Sequence, residues 1–105
     1  METWVQIEGS NGQYEVSDKG NVAKIVKGER ILLTPYENNS GYMRIKLTIN
    51  GKRKAYYVHR LVCSAFHPNH NCLPEVDHIN RNRKRNWASN LRWVTREENL
   101  LNRVF

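Results

Sequence analysis

Asp77 and His78 stand side by side in a short apolar stretch, Val76-Asp77-His78-Ile79. Asn90-Leu91-Arg92-Trp93-Val94-Thr95 and then Glu98-Asn99 come after it. A carboxylate beside an imidazole on one strand, with a second strand and a capped helix behind, could assemble a small metal site for phosphodiester hydrolysis. One geometric condition attaches to that reading. Neighbours on a regular strand point to opposite faces, so Asp77 and His78 serve one site only where the strand ends, twists or bulges. An Asp-His pair taken alone is a surface carboxylate next to a packed or solvated histidine, and only Asn90 and Asn99 downstream weigh against that.

The elements that must position these residues can be read from periodicity. Glu75–Ile79 reads as one strand and Leu91–Val94 as a second, with the basic segment Arg81-Asn82-Arg83-Lys84-Arg85 and a turn through Asn86-Trp87-Ala88-Ser89 between them. Thr95 with Glu98 three residues later is a capping box, so a helix should begin near Arg96 and run to about Arg103. Upstream, Val58, Leu61, Val62, Ala65 and Phe66 recur at helical spacing and end before Pro68. Residues 67–75, with Pro68, His70 and Pro74, read as a loop.

The first half reads as short strands and tight turns. Trp4–Ile7 and Tyr14–Ser17 alternate apolar and polar residues around the Gly9-Ser10-Asn11-Gly12 breaker cluster. Asp18-Lys19-Gly20-Asn21 is a turn signal, with a strand returning from Asn21 to Val26. A second turn at Lys27-Gly28 leads into Ile31-Leu32-Leu33, and Pro35 with Asn38-Asn39-Ser40-Gly41 closes that segment. Tyr42–Ile49 puts Met43, Ile45, Leu47 and Ile49 on one face of a half-buried strand. Asn50-Gly51 is the favoured two-residue hairpin turn, and Lys52–Tyr57 returns. The expected class is α+β: antiparallel hairpins and one packing helix, followed by a strand-strand-helix unit.

A chain of 105 residues suits one compact unit, here of two lobes, 1–50 and 51–105. Composition is that of an ordinary globular protein. With no bilayer-length apolar run and no signal-peptide pattern, a membrane partner is not expected and the default compartment is cytoplasmic. Cys63 and Cys72 are too few for a disulfide framework and read as reduced thiols.

The formal charge of +7 is unevenly spread. Residues 1–50 hold six Lys/Arg and six Asp/Glu, whereas residues 51–105 hold eleven and four, so the excess belongs to the half carrying the candidate site. Such asymmetry points to a polyanion, with nucleic acid leading. Arg44, Lys46, Lys52, Arg53 and Lys54 would form a basic ribbon along a phosphate backbone, although Lys-rich strands also simply discourage edge aggregation. Arg81, Arg83, Lys84 and Arg85 would straddle the backbone near the cut, largely without regard to sequence. Arg60 is a phosphate contact, a brace for the site or equally a surface salt bridge, and Arg92 and Arg96 complete the candidate DNA-binding set. His59, Cys63, His67, His70 and Cys72 form a loose series without paired Cys-x-x-Cys spacing, better explained by packing than by zinc. Trp93 is assigned to the core, and Trp87 is either core or a base-stacking surface.

The second half resembles the HNH endonucleases, whose catalytic unit is a ββα-metal motif. The resemblance rests on Val58-His59-Arg60-Leu61-Val62, Ala65-Phe66, Asp77-His78-Ile79-Asn80, Asn86, Asn90–Thr95 and Glu98-Asn99. The first half, through Trp4, Ile7, Gly9, Tyr14–Ser17 and Gly20-Asn21-Val22, looks like the nuclease-associated module of phage and intron-encoded homing enzymes. The resemblance implies His78 as general base and Asp77 and Asn99 as ligands of one divalent ion. Asn90 would be the residue that ties the connecting loop and keeps His78 in position. Oxygen ligands imply Mg²⁺ or Mn²⁺. Many relatives end the motif with histidine, where Asn99 here offers an amide oxygen.

The resemblance therefore implies a DNA endonuclease of phage or mobile-element origin, leaving 5′-phosphate and 3′-hydroxyl ends in the cytoplasm of a host cell. The alternative is a non-catalytic DNA-binding module that keeps the scaffold. No helix-turn-helix comes after Thr95, so reduced selectivity, or help from a homodimer or accessory protein, is expected.

Overall fold

A computed structural model describes residues 1–104. Strands β1 (Trp4–Gln6), β2 (Tyr14–Ser17), β3 (Val22–Val26) and β4 (Glu29–Leu32) form an antiparallel meander in chain order. Next come β5 (Tyr36–Glu37), β6 (Met43–Ile49) and β7 (Lys52–Tyr57), a three-stranded sheet that runs straight into helix α1 (Val58–Phe66). The last part is a hairpin of β8 (Glu75–His78) and β9 (Leu91–Val94), with a 3₁₀ turn at Ala88–Asn90 leading into β9 and helix α2 (Arg96–Val104) after it. The α+β expectation is borne out. Among the described residues no helix is long and apolar enough to cross a membrane.

Local chemistry explains most boundaries. Asn50 and Gly51 take φ of 54° and 75°, as a primed hairpin turn requires. That turn sets the β6–β7 register, with Leu47 opposite Lys54 and Arg44 opposite Tyr57. The 50/51 division thus falls at the tip of one hairpin. Strand β5 is absent from the sequence reading, because two exposed residues pairing Tyr36 with Arg44 leave no periodic pattern.

Helix α1 is the common wall of the fold. It lies against β2, β6, β7, β8 and β9 and buries Val58, Val62 and Cys63 among Val16, Val22, Ile45, Leu47, Val76 and Leu91. One apolar cluster therefore draws on both lobes, and the β8–β9 hairpin rests on the same core as the N-terminal meander. Trp93 packs against this cluster while half-buried, its indole N–H donating to the His67 carbonyl at 2.9 Å.

Candidate active site

The β8–β9 register sets Asp77 opposite Arg92 and His78 opposite Leu91. Beyond His78 the strand stops. The Ile79 amide still donates to the Asn90 carbonyl at 2.8 Å, then the Arg81 amide turns back to the His78 carbonyl at 2.8 Å with Arg81 at φ 65°. The condition on neighbouring residues is met by termination of the strand. Asp77 and His78, 2% and 5% exposed, line one cleft of about 220 Å³ with Tyr42, Arg81, Arg83, Asn99 and Asn102.

Helix α2 closes the cleft from a fixed start. Thr95 N–H donates to Glu98 Oε1 at 3.0 Å and Glu98 N–H to Thr95 Oγ1 at 3.2 Å, the reciprocal bonds of a capping box. The bonds to Thr95 hold the exposed Glu98 carboxyl below its ordinary range. One turn in, Asn99 Nδ2 donates to Glu75 Oε1 at 2.8 Å. Three residues further, on the same helix face, Asn102 Nδ2 donates to Asp77 Oδ1 at 2.7 Å and to the His78 carbonyl at 3.0 Å.

Asp77 accepts from Asn102 through Oδ1 and from Arg92 Nε through Oδ2 at 2.9 Å, so its buried charge is balanced by a half-exposed guanidinium. His78 Nε2 lies 2.7 Å from Asn86 Oδ1. An amide oxygen only accepts, so Nε2 carries a proton, and the neutral ring then has its lone pair on Nδ1. Asn90 bonds within the loop: Oδ1 accepts from the Asn80 amide at 3.0 Å, and Nδ2 donates to Asn80 Oδ1 and the Arg85 carbonyl, both at 2.9 Å. The direct partner of the imidazole, however, is Asn86, which sequence reasoning quoted without a role. Asn102 was missed altogether, and its helical spacing from Asn99 was the available signal.

A second histidine backs the first. The buried His59 ring, at the start of α1, meets the His78 ring edge to face at 5.1 Å between centroids. Its Nδ1 is enclosed and has no hydrogen-bond partner among the described residues. Burial, reinforced by His78 and Arg60, pushes its pKa down to about 3. Cys63 is a free buried thiol whose pKa burial raises to about 12, and Cys72 is free and exposed. His67 Nε2 meets the Ala88 carbonyl at 2.6 Å.

The basic residues divide by what they already touch. Arg81 and Arg83 line the cleft, with Arg83 stacked 4.5 Å from the Tyr42 ring centroid. Lys84 pairs with Glu37 at 3.0 Å, Arg96 with Glu75 at 3.4 Å, and Arg85 lies 4.8 Å from the Trp87 ring. Arg60 donates to the Pro74 carbonyl at 3.0 Å beside Trp93. Arg44 folds over Tyr57 and donates to the Ala55 carbonyl. Lys46, Lys52, Arg53 and Lys54 are exposed. Register puts Lys52 and Lys54 opposite Ile49 and Leu47, and Lys46 and Arg53 opposite Ala55 and Thr48. The ribbon's cations therefore leave from two faces of the hairpin.

Two antiparallel strands, a tied loop and a capped helix that bring Asp, His and Asn to one cleft define a ββα unit of the kind found in nucleases. Comparison with known proteins agrees. Residues 2–48 match the NUMOD4 motif and residues 56–101 match the HNH endonuclease model. The chain is 39% identical over 101 residues to DNA endonuclease I-HmuI of Bacillus phage SP01, covering 96% of this chain and 57% of that protein. It is 30% identical over 95 residues to uncharacterized HNH endonuclease L245 of Acanthamoeba polyphaga mimivirus, covering 90% of this chain and 28% of that one. A solved structure described as DNA binding and cleavage by the HNH homing endonuclease I-HmuI superposes with a TM-score of 0.84 at 38% identity, over 97% of this chain and 57% of that one. The chain thus carries a NUMOD4 motif followed by an HNH endonuclease domain. It spans a little over half the length of the phage relative.

Proposed function

We propose that the protein is a metal-dependent endonuclease that hydrolyses phosphodiester bonds in double-stranded DNA. The observation that carries this reading is the shared cleft of Asp77, His78 and Asn99, together with the 2.7 Å contact to Asn86 that leaves the His78 lone pair on Nδ1. His78 Nδ1 takes the proton of the attacking water, a role suited to an imidazole. Asn90 keeps the loop that carries Asn86 closed.

The donor set fits one hard divalent ion, Mg²⁺ or Mn²⁺. Asn99 has its amide nitrogen committed to Glu75, which leaves Oδ1 as its acceptor, and Asp77 contributes carboxylate oxygen to the same cleft. When bound, such an ion stabilises negative charge on the scissile phosphate and the leaving 3′ oxygen. Attack by water then leaves 5′-phosphate and 3′-hydroxyl ends.

Arg81 and Arg83 would hold the phosphates flanking the cut. Lys84, Arg85, Arg60, Arg92, Arg96, Arg44, Lys46 and the Lys52-Arg53-Lys54 run supply charge to the surrounding backbone, with a salt-dependent and largely sequence-independent effect. We assign residues 1–50 to the NUMOD module and 51–105 to the nuclease unit, with the β6–β7 hairpin joining them. The cytoplasm of a host cell of a phage or mobile element is the proposed setting, with a homodimer or accessory protein adding selectivity.

A supercoiled plasmid incubated with Mg²⁺ tests the proposal. The parent protein should relax or linearise it, and His78→Ala and Asp77→Ala should not. An intact plasmid with the parent, or equal cutting by His78→Ala, overturns it. Binding without cutting would identify a DNA-binding module.

A further inference from the structure

The NUMOD module touches the catalytic loop through three consecutive residues on each side. The Ala88 amide donates to the Asp18 carbonyl at 2.8 Å, Lys19 Nζ lies 4.3 Å from the centroid of the Trp87 ring, and Gly20 packs on Asn86. At Gly20 a Cβ would stand 2.8 Å from the Asn86 carbonyl oxygen, 3.1 Å from Asn86 Cβ and 3.2 Å from its carbonyl carbon. Asn86 is the residue whose side-chain oxygen meets His78 Nε2. The path from the module to the imidazole is therefore two contacts long.

We infer that the β2–β3 turn, Asp18-Lys19-Gly20, is a positioning element for the His78 imidazole, so that the NUMOD module serves the chemical step as well as any DNA contact. The inference rests on the catalytic reading of His78 given above. The turn itself is held from behind, because Asp18 Oδ1 accepts from the Thr3 amide at 2.9 Å and the Asp18 amide donates to the Thr3 carbonyl at 3.0 Å. The Gly20 amide closes on the Ser17 carbonyl at 3.0 Å. Asn86, 5% exposed, thus has a stationary surface against its backbone while its side chain faces the histidine. A displacement of Asn86 by a few tenths of an ångström lengthens the bond that fixes the proton on Nε2, and Nδ1 then no longer carries the lone pair in every molecule.

Two glycines separate this effect from simple backbone strain. Gly20 and Gly28 have φ of 81° and 79°, both in the region that side chains rarely adopt. Among the described residues a Cβ on Gly28 would meet no atom within 4 Å. Gly28→Ala therefore carries the strain alone, and Gly20→Ala carries the strain plus the push on Asn86. A second variant removes only the docking bond. Ala88 opens the 3₁₀ turn behind an extended Trp87 with φ −77° and ψ 140°, a place that tolerates proline, so Ala88→Pro deletes the N–H that Asp18 receives.

The experiment has two readouts on the full chain. Single-turnover cleavage of a supercoiled plasmid in Mg²⁺, at varied protein concentration, separates the maximal rate from the half-saturating concentration. ¹⁵N NMR of the metal-free protein reports which nitrogen of His78 carries the proton. Gly28→Ala should match the parent in both. Gly20→Ala should lower the maximal rate about 10- to 100-fold, by analogy with the loss of a group that orients a metal-ligating histidine, with half-saturation within about twofold. Its His78 signals should shift toward a mixture of tautomers, and Ala88→Pro should move the same way by less. If Gly20→Ala fails to fold, Ala88→Pro decides alone. Parent-like tautomer signals in the folded variants overturn the inference, as does a loss confined to half-saturation, which would make the turn a DNA grip. An altered tautomer with an undiminished maximal rate upholds the positioning and overturns the catalytic assignment of His78.

Discussion

Asp77 carries a carboxylate that is 2% exposed and balanced by Arg92, whose side chain is 52% exposed. Removing the two partners should therefore have unequal effects in metal-free protein. Arg92→Ala leaves a buried charge whose remaining hydrogen-bond partner among the described residues is the Asn102 amide. A fully buried pair broken in this way costs about 3–5 kcal/mol, and the half-exposed guanidinium lowers that to roughly 2 kcal/mol, since water already reaches one side. Asp77→Asn keeps the shape and releases Arg92 into water, at a cost of less than about 1 kcal/mol. For a domain of this size roughly 2 kcal/mol corresponds to a fall of about 10 °C in Tm. Thermal unfolding in a chelator should then rank parent above Asp77→Asn above Arg92→Ala. Adding Mg²⁺ at about 100 times its Kd should raise Arg92→Ala by roughly 2.7 kcal/mol, because the ion replaces the missing positive charge without displacing a guanidinium. The double variant should lose both the penalty and the response. An Arg92→Ala protein as stable as the parent in chelator refutes the counter-ion argument, and an Mg²⁺ response undiminished in Asp77→Asn refutes Asp77 as a ligand.

The same contacts give three further outcomes. His59 has its pKa lowered from 6.5 to about 3, so its contribution to stability is complete above pH 6.5 and fades as pH falls toward 3, by about 2 kcal/mol at pH 5; chemical denaturation against pH should show a shallower slope in this range for His59→Gln. Thr95→Ala should cost about 1 kcal/mol through loss of the cap and weaken Mg²⁺ binding measured by calorimetry, because Asn99 lies on the turn that the cap fixes. Leu47→Ala, at a position with no exposed surface, should cost about 2–5 kcal/mol and unfold the nuclease unit and the N-terminal meander together, which a single transition in hydrogen exchange and circular dichroism would check.

Much of the scaffold was legible because its signals are local. The Asn50-Gly51 hairpin, the 3.6-residue stripe from Val58 to Phe66 and the Thr95/Glu98 box each specify an element within a few residues, and the structure keeps all three. The site was legible as a set of residue types but not as a set of bonds. Asn90 bonds to Asn80 and Arg85 within the loop, whereas the bond to His78 comes from Asn86, eight residues away. Asn102 reaches Asp77 across 25 residues of chain and Arg92 across 15. Nothing in a sequence window links partners that only the hairpin register and the α2 docking bring together.

The two glycines make the same point most sharply. Asp18-Lys19-Gly20-Asn21 and Lys27-Gly28 give the same sequence signal, a turn that wants positive φ, and both glycines take it. Backbone conformation alone accounts for Gly28, where a side chain would enter open space. Gly20 answers two demands at once, the left-handed turn and the approach of the Asn86 carbonyl, and the first hides the second from any reading of the sequence. A glycine whose turn explains it fully can still be the residue through which one part of the chain touches the hydrogen-bond partner of a histidine in another.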